Sequence, residues 1–271
     1  MKRLAETFEK LRGRDERALI PFLTAGDPDL GATETLVLAM LEAGADAIEL
    51  GVPFSDPIAE GPTIQRSSER ALAGGTNLRS ILRLVKALRG QTDRPIVLMG
   101  YANPFFAMTA KGFAEAAAEV GVDGVIVPDL PPEEGATFYG AAEAAGIAPI
   151  LLAAPTTTPK RLAFLARRTR GFLYYVSLTG VTGARTELAS DLEAGVQRVR
   201  DVSDVPVCVG FGVSTPAHAR SLAPFTDGIA VGSAIVDRIE AAPTSAAAAD
   251  ALGDFVRELK APLIGSAGHE G

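Results

Sequence analysis

The 271-residue chain has one cysteine, no tryptophan, two histidines and only 6% aromatic residues. A single cysteine, Cys208, forbids an internal disulfide and suits a reducing compartment. It lies in the apolar run Val205–Gly210, which reads as core rather than as a nucleophile's setting. Clusters of Cys and His with metal-ligand spacing are absent, so no metal site is expected. Neither histidine looks placed for chemistry: His218 falls at a helix start led by Pro216, and His269 in a Gly-rich tail. An acid–base role would then fall to Asp, Glu or Tyr. No apolar run approaches 18 residues, so no membrane span is expected. Met1 to Arg17 is charged and amphipathic, without the apolar run of a signal peptide, which suggests a cytoplasmic protein. Basic excess is missing too: the net charge is −7, which argues against nucleic-acid binding. The one tight basic cluster, Arg167, Arg168 and Arg170, sits at an expected helix end, where it offsets the helix dipole.

What is present is a repeat of short apolar runs and amphipathic helices. The expected strands are Ala18–Thr24, Ala47–Leu50, Pro95–Met99, Gly124–Val127, Ala148–Leu152, Phe172–Ser177, Pro206–Val209 and Gly228–Val231. They are almost continuously apolar, as strands buried on both faces must be. Between them, sets such as Leu78, Ile81, Leu82 and Val85 share one helical face. Gly44, Gly90, Gly121 and Gly171 follow helices, and Pro28, Pro159 and Pro216 stand near helix starts. Eight such units predict a single α/β domain over residues 1–271, a (β/α)8 TIM barrel. An extra N-terminal helix, Leu4 to Leu11, is available to plug the barrel floor. The alternative is an open doubly wound sheet, disfavoured because no G-x-G-x-x-G follows the first strand.

Active sites in such barrels sit at the C-terminal strand ends. Glu49 lies inside the apolar strand Ala47–Leu50, one residue before the loop Gly51–Pro57. It is either paired with a basic side chain or used; no basic residue recurs at neighbouring strand ends. In a dry pocket its pKa would rise, fitting it to donate a proton near neutral pH. Two Gly-rich turns, Val209–Ser214 and Ala230–Ala234, close the last two units. They read as a phosphate cradle built from backbone N–H groups and a short helix N-terminus, or as plain tight turns. Leu178–Arg185 after the sixth strand reads as a mobile lid or an ordinary surface loop.

Glu49-Leu50-Gly51-Val52-Pro53-Phe54-Ser55-Asp56-Pro57, continuing to Gly61-Pro62-Thr63-Ile64-Gln65, closely resembles the signature of the tryptophan synthase α subunit family. Pro21–Pro28, Met99–Pro104, Val127–Pro131, Gly180–Gly183 and Gly210–Gly212 resemble other segments of that family, in its order, from about residue 4 to 260. The resemblance implies retro-aldol cleavage of indole-3-glycerol phosphate to indole and glyceraldehyde 3-phosphate. It implies Glu49 as the acid–base carboxylate. It implies Gly183, Gly212, Gly232 and Ser233 around the phosphate, and Phe22, Ile64, Tyr101 and Phe211 around the indole. Tyr174 would stand near the second carboxylate, Thr182 would close the lid, and Pro53 and Asp56 would face a β subunit. That partner, in an α2β2 assembly, would carry pyridoxal phosphate and consume the indole; no cofactor is expected on this chain.

Two positions depart from the pattern. Glu60 stands where the family usually has Asp, the group that binds the indole N–H. The extra methylene adds about 1.5 Å of reach. Leu178 stands where many relatives carry Arg. Competing functions are a regulatory ligand-binding subunit with weak catalysis, a stand-alone lyase releasing indole, and another phosphate-binding barrel enzyme that leaves the Glu49 motif unexplained.

Overall fold

The computed structural model describes residues 1–176, 185–210 and 212–265. Among these, nine short parallel strands form one sheet: β1 (Ala18–Thr24), β2 (Ile48–Gly51), β3 (Ile96–Met99), β4 (Gly124–Ile126), β5 (Ala148–Pro149), β6 (Leu152–Ala153), β7 (Leu173–Val176), β8 (Val207–Gly210) and β9 (Gly228–Val231). Their order is β5-β4-β3-β2-β1-β9-β8-β7-β6. The two ends of that order, β5 and β6, are separated in the chain only by Ile150 and Leu151. They are halves of one strand. Backbone pairing runs through the gap, with Ile150 N–H donating to Val125 O and Tyr174 N–H to Leu151 O, both at 3.0 Å. The sheet therefore closes into an eight-stranded barrel, and the open doubly wound alternative is excluded.

The period of two along each strand sorts the side chains. Leu19, Leu23, Ile48, Leu50, Ile96 and Leu98 point outward and pack beneath the helices. Ala18, Ile20, Ala47, Val97, Ile126, Phe172, Tyr174, Cys208 and Ala230 point inward and fill the barrel. The helix Lys2–Gly13 closes the floor as expected: Leu4, Phe8 and Leu11 are buried against that inner cluster. Phe8 meets Phe172 at 5.7 Å between ring centroids. Burial of such side chains is worth about 1.5–3 kcal/mol each. Among the described residues, no helix is long and apolar enough to cross a membrane.

Helix starts follow the chain's turn chemistry. Asp29, Asn77, Thr109, Thr158, Thr215 and Thr244 each accept a first-turn N–H. Three further aspartates tie a strand or helix start to a more distant segment. Asp46 accepts Leu19 N–H at 2.9 Å and pairs with Lys260 at 2.8 Å. Asp129 accepts Ala102 N–H at 2.9 Å. Asp123, almost fully buried, accepts Ile96 N–H at 2.9 Å and pairs with Arg89 and Arg3.

Asp123→Ala strands two guanidinium groups and a strand N–H together. It is expected to destabilise the protein by about 3–5 kcal/mol, the range for breaking a buried pair from one side. Urea denaturation measures this as a lower midpoint at unchanged slope. A loss below about 0.5 kcal/mol, the surface-substitution level, would show that Asp123 does not hold β3 and β4 together.

Candidate active site

At the C-terminal ends of the strands lies a cavity of about 380 Å³, within the size range of small-molecule sites. Phe22, Ile64 and Met99 make its apolar side; Glu49, Glu60 and Tyr174 also line it. Gly212, Ser214, Gly232, Ser233 and Ala234 line it as well. A larger open groove of about 1180 Å³ lies at the other end of the barrel, along the helix Lys2–Gly13, among charged side chains such as Lys10, Arg14 and Asp93. Its buried charges, Asp46 and Lys260, are paired with each other, and it touches no C-terminal strand end. The smaller cavity is where barrel chemistry belongs.

Glu49 enters this cavity because of strand register. Ile48 and Leu50 face outward, so Glu49 must face in, level with Phe22 on β1 and Val97 on β3. It is fully buried, and among the described residues neither carboxyl oxygen has a hydrogen-bond partner. An ionised carboxylate there would cost several kcal/mol. Burial, aided by the negative charge of Glu60, pushes its pKa from an ordinary 4.5 up to about 8. Glu49 therefore keeps its proton at neutral pH. The reading of a paired structural carboxylate finds no partner among the described residues.

Glu60 reaches the cavity from a loop braced on three sides. Tyr101 Oη accepts Ala59 N–H at 2.8 Å, and Phe54 stacks on the Tyr101 ring at 5.4 Å. Gln65 Nε2 donates to the Glu60 carbonyl at 2.9 Å. Immediately after, Gly61 caps the helix Pro62–Ala73, with Pro62 in its first turn. Glu60 is partly buried, and that burial raises its pKa. In the same loop Pro53 is buried, while Asp56 is exposed and accepts from Ser55 Oγ at 2.5 Å. Only Asp56 of these two offers surface to a partner.

The Gly232–Ser233 turn suits an anion. The helix Ser233–Ala241 starts at Gly232, and no side chain caps it. Its first N–H groups and its dipole both favour negative charge at this end. Gly212 adopts φ +78°, a left-handed conformation that side chains disfavour.

Of the residues expected at the site, Phe22, Glu49, Glu60, Ile64, Tyr174, Gly212, Gly232 and Ser233 line this one cavity. Tyr101 lines a smaller adjoining pocket, shared with Phe22, Glu60 and Ile64. Thr182, Gly183, Phe211 and the lid position Leu178 lie outside the described residues. Ser214, in the turn read as part of a phosphate cradle, lines the cavity too; sequence reasoning missed Met99, His218 and Asp237, which also line it. Met99 ends β3 and was open to the strand-end rule. Asp237 lies four residues after Ser233 on one helix, hence on its face. His218, set aside as uninvolved, accepts Ser214 N–H at Nδ1 at 3.3 Å and faces the cavity. No local signal points it there.

A family model described as tryptophan synthase alpha chain matches residues 8–263. A tryptophan synthase alpha chain from Geobacter sp. (strain M21) is 53% identical over 264 residues, 97% of this chain and 98% of the relative. One from Burkholderia pseudomallei is 49% identical over 268 residues, 98% of each. The crystal structure of tryptophan synthase subunit alpha from Legionella pneumophila str. Paris superimposes with TM-score 0.89 at 37% identity, covering 97% of this chain and 98% of that one. A crystal structure of tryptophan synthase from M. tuberculosis, in an aminoacrylate-bound form, gives 0.86 at 37% identity over 96% and 99%.

The raised pKa of Glu49 makes a prediction about stability. The native state holds a proton that the unfolded chain releases above its ordinary pKa. Stability must therefore fall as pH rises from about 4.5 to about 8, and level off beyond. Glu49→Gln has no proton to lose. Relative to this variant, the wild type should lose a few kcal/mol between about pH 5 and about pH 8.5, because each tenfold difference in proton affinity between the folded and unfolded chain is worth about 1.4 kcal/mol. Urea unfolding of both proteins at the two pH values measures the difference; parallel pH dependences would mean that Glu49 titrates normally.

Proposed function

Since the chain belongs to the tryptophan synthase alpha chain family, we propose that Glu49 and Glu60 divide the chemistry of that family's reaction between them. The protein is a carbon–carbon lyase that cleaves indole-3-glycerol phosphate into indole and glyceraldehyde 3-phosphate. The observation that carries the assignment is the fully buried Glu49 carboxyl, without a hydrogen-bond partner among the described residues, in one cavity with Glu60 and a helix N-terminus that no side chain caps.

In this reading the phosphate lies against the N–H groups of Gly212, Gly232 and Ser233, with Gly183 joining them. The indole lies against Phe22 and Ile64, with Tyr101 and Phe211 at its border and Tyr174 beneath the carboxylates. Thr182 closes the lid. Protonated Glu49 delivers its proton to the ring carbon that bears the glycerol chain. The ring becomes cationic, and Glu60, accepting the indole N–H, stabilises that charge as it forms. The hydroxyl on the adjacent chain carbon then loses its proton to the Glu49 carboxylate. The carbon–carbon bond breaks, its electron pair restores the aromatic ring, and the hydroxyl carbon becomes the aldehyde. Glu49 gives one proton to the ring carbon and takes another from the hydroxyl, ending protonated as it began, so the cycle needs no cofactor. A pKa near the working pH suits a group that both gives and takes a proton.

The reading extends to a partner. Indole passes to a β subunit in an α2β2 assembly, with the loop of exposed Asp56 at the contact. It also takes residues 1–271 as one barrel domain working in the cytoplasm, consistent with a single buried cysteine.

The test is cleavage of indole-3-glycerol phosphate by the purified chain, with and without β subunit. Glu49→Gln should lower kcat about 10²–10⁴-fold. Glu60→Gln should lower kcat far more than it changes KM, while Glu60→Asp keeps substantial activity, because charge matters more than length. Activity rising with β supports the assembly. Near wild-type kcat in Glu49→Gln would remove that residue from the mechanism.

A further inference from the structure

The two ends of the cavity are carried by two neighbouring helices. Pro62–Ala73 begins two residues after Glu60, and Ser233–Ala241 begins at the proposed phosphate end. Where they pack together, much of their contact is polar. Thr63 Oγ1 donates to Asp237 Oδ1 at 2.9 Å. One turn on, Arg66 forks onto Glu240, with Nε–Oε1 at 3.0 Å and Nη2–Oε2 at 2.7 Å. Arg70 reaches the same carboxylate at 3.1 Å. Its other nitrogens hold both oxygens of Asp27 at 2.7 Å. Asp27 is buried just beyond β1, so this last pair is fixed to the barrel wall.

The spacing makes a seam. Thr63, Arg66 and Arg70 fall at i, i+3 and i+7, on one helix face; Asp237 and Glu240 fall at i and i+3 on the other. A half-exposed pair such as Arg66–Glu240 adds little to stability. The Arg66 fork on Glu240, joined there by one nitrogen of an Arg70 that is itself forked onto Asp27, does something else: it defines how far one helix can slide along the other. Such a slide would move Glu60 relative to Ser233.

We propose that Arg66, Arg70 and Glu240 are positioning residues that set the distance between the Glu60 carboxylate and the bound phosphate. Phosphate held at Gly232–Ser233 fixes one helix, and the seam passes that position to the other helix and to Glu60. The inference rests on the roles given above to Glu60 and to the Gly232–Ser233 turn.

The test uses the whole chain and two probes: glycerol 3-phosphate for the phosphate end, and indole-3-glycerol phosphate for turnover. Glu240→Ala should lower kcat about tenfold, less than the roughly 10²-fold that a full 1 Å misplacement can cost. KM and the Kd for glycerol 3-phosphate should stay within about twofold, because the phosphate contacts remain. In a Glu60→Gln background the same change should cost less than about twofold in kcat, since no carboxylate is left to place. A merely structural residue would lower kcat equally in both backgrounds, and that result overturns the proposal. So does an unchanged kcat in Glu240→Ala, or a weakened glycerol 3-phosphate affinity with kcat intact. If Glu60→Gln alone turns over like wild type, the assignment of Glu60 fails first, and the seam's role falls with it. Glu240 is about one-third exposed, so its truncation leaves the core untouched.

Discussion

The site depends on a solid, dry barrel interior beneath one carboxyl group. Ala47, Val97, Ile126, Phe172 and Cys208 fill the lumen, and Leu4, Phe8 and Leu11 seal it from below. Water has no route to Glu49 from that side. The next inward position on β2 after Ala47 is Glu49 itself, at the boundary between packed core and cavity. A group there is desolvated by the barrel yet open to a ligand. That is the combination a proton donor needs at neutral pH, and it follows from the strand period together with the floor helix.

Much of this was legible from residue order. Near-continuous apolar runs marked the strands, and two of them, Ala18–Thr24 and Gly228–Val231, have the expected bounds. The fifth run, Ala148–Leu152, emerges as two short pieces; between them Leu151 N–H donates to the Thr169 side chain and not to a neighbouring strand. Glu49 was legible because a charge inside an apolar strand is costly and therefore conspicuous. Tyr101 was legible only through the family motif; its grip on Ala59 N–H depends on a loop 42 residues away.

What was not legible is contact between segments distant in the chain. Arg66 and Glu240 are 174 residues apart, and each alone looks like a solvated charge on a helix. His218 looked like an ordinary helix-start residue; the turn after β8 brings it to the cavity. The phosphate cradle was half legible. Gly-rich turns after the last two strands named the place, but plain tight turns would read the same. The helix start at Gly232 has no side-chain cap and lines the cavity, which supports the proposed cradle.

Two carboxyl groups in one cavity do not ionise independently. The charge of one raises the cost of charging the other, so losing the first proton makes the second harder to remove. Environment decides where it goes. Glu49 is wholly buried with no partner among the described residues; Glu60 is partly exposed on a loop. Burial raises both pKa values, but for Glu49 burial is complete and the Glu60 charge adds to it. The proton is therefore held more firmly by Glu49 than by Glu60. That ordering suits the proposed reaction, in which Glu49 is the acid at the ring carbon and Glu60 the anion where positive charge develops. When Glu49 gives up its proton, the new charge beside Glu60 is met by the cation on the ring. Repulsion between the carboxylates is then offset only while that cation exists, which favours the intermediate over both resting states.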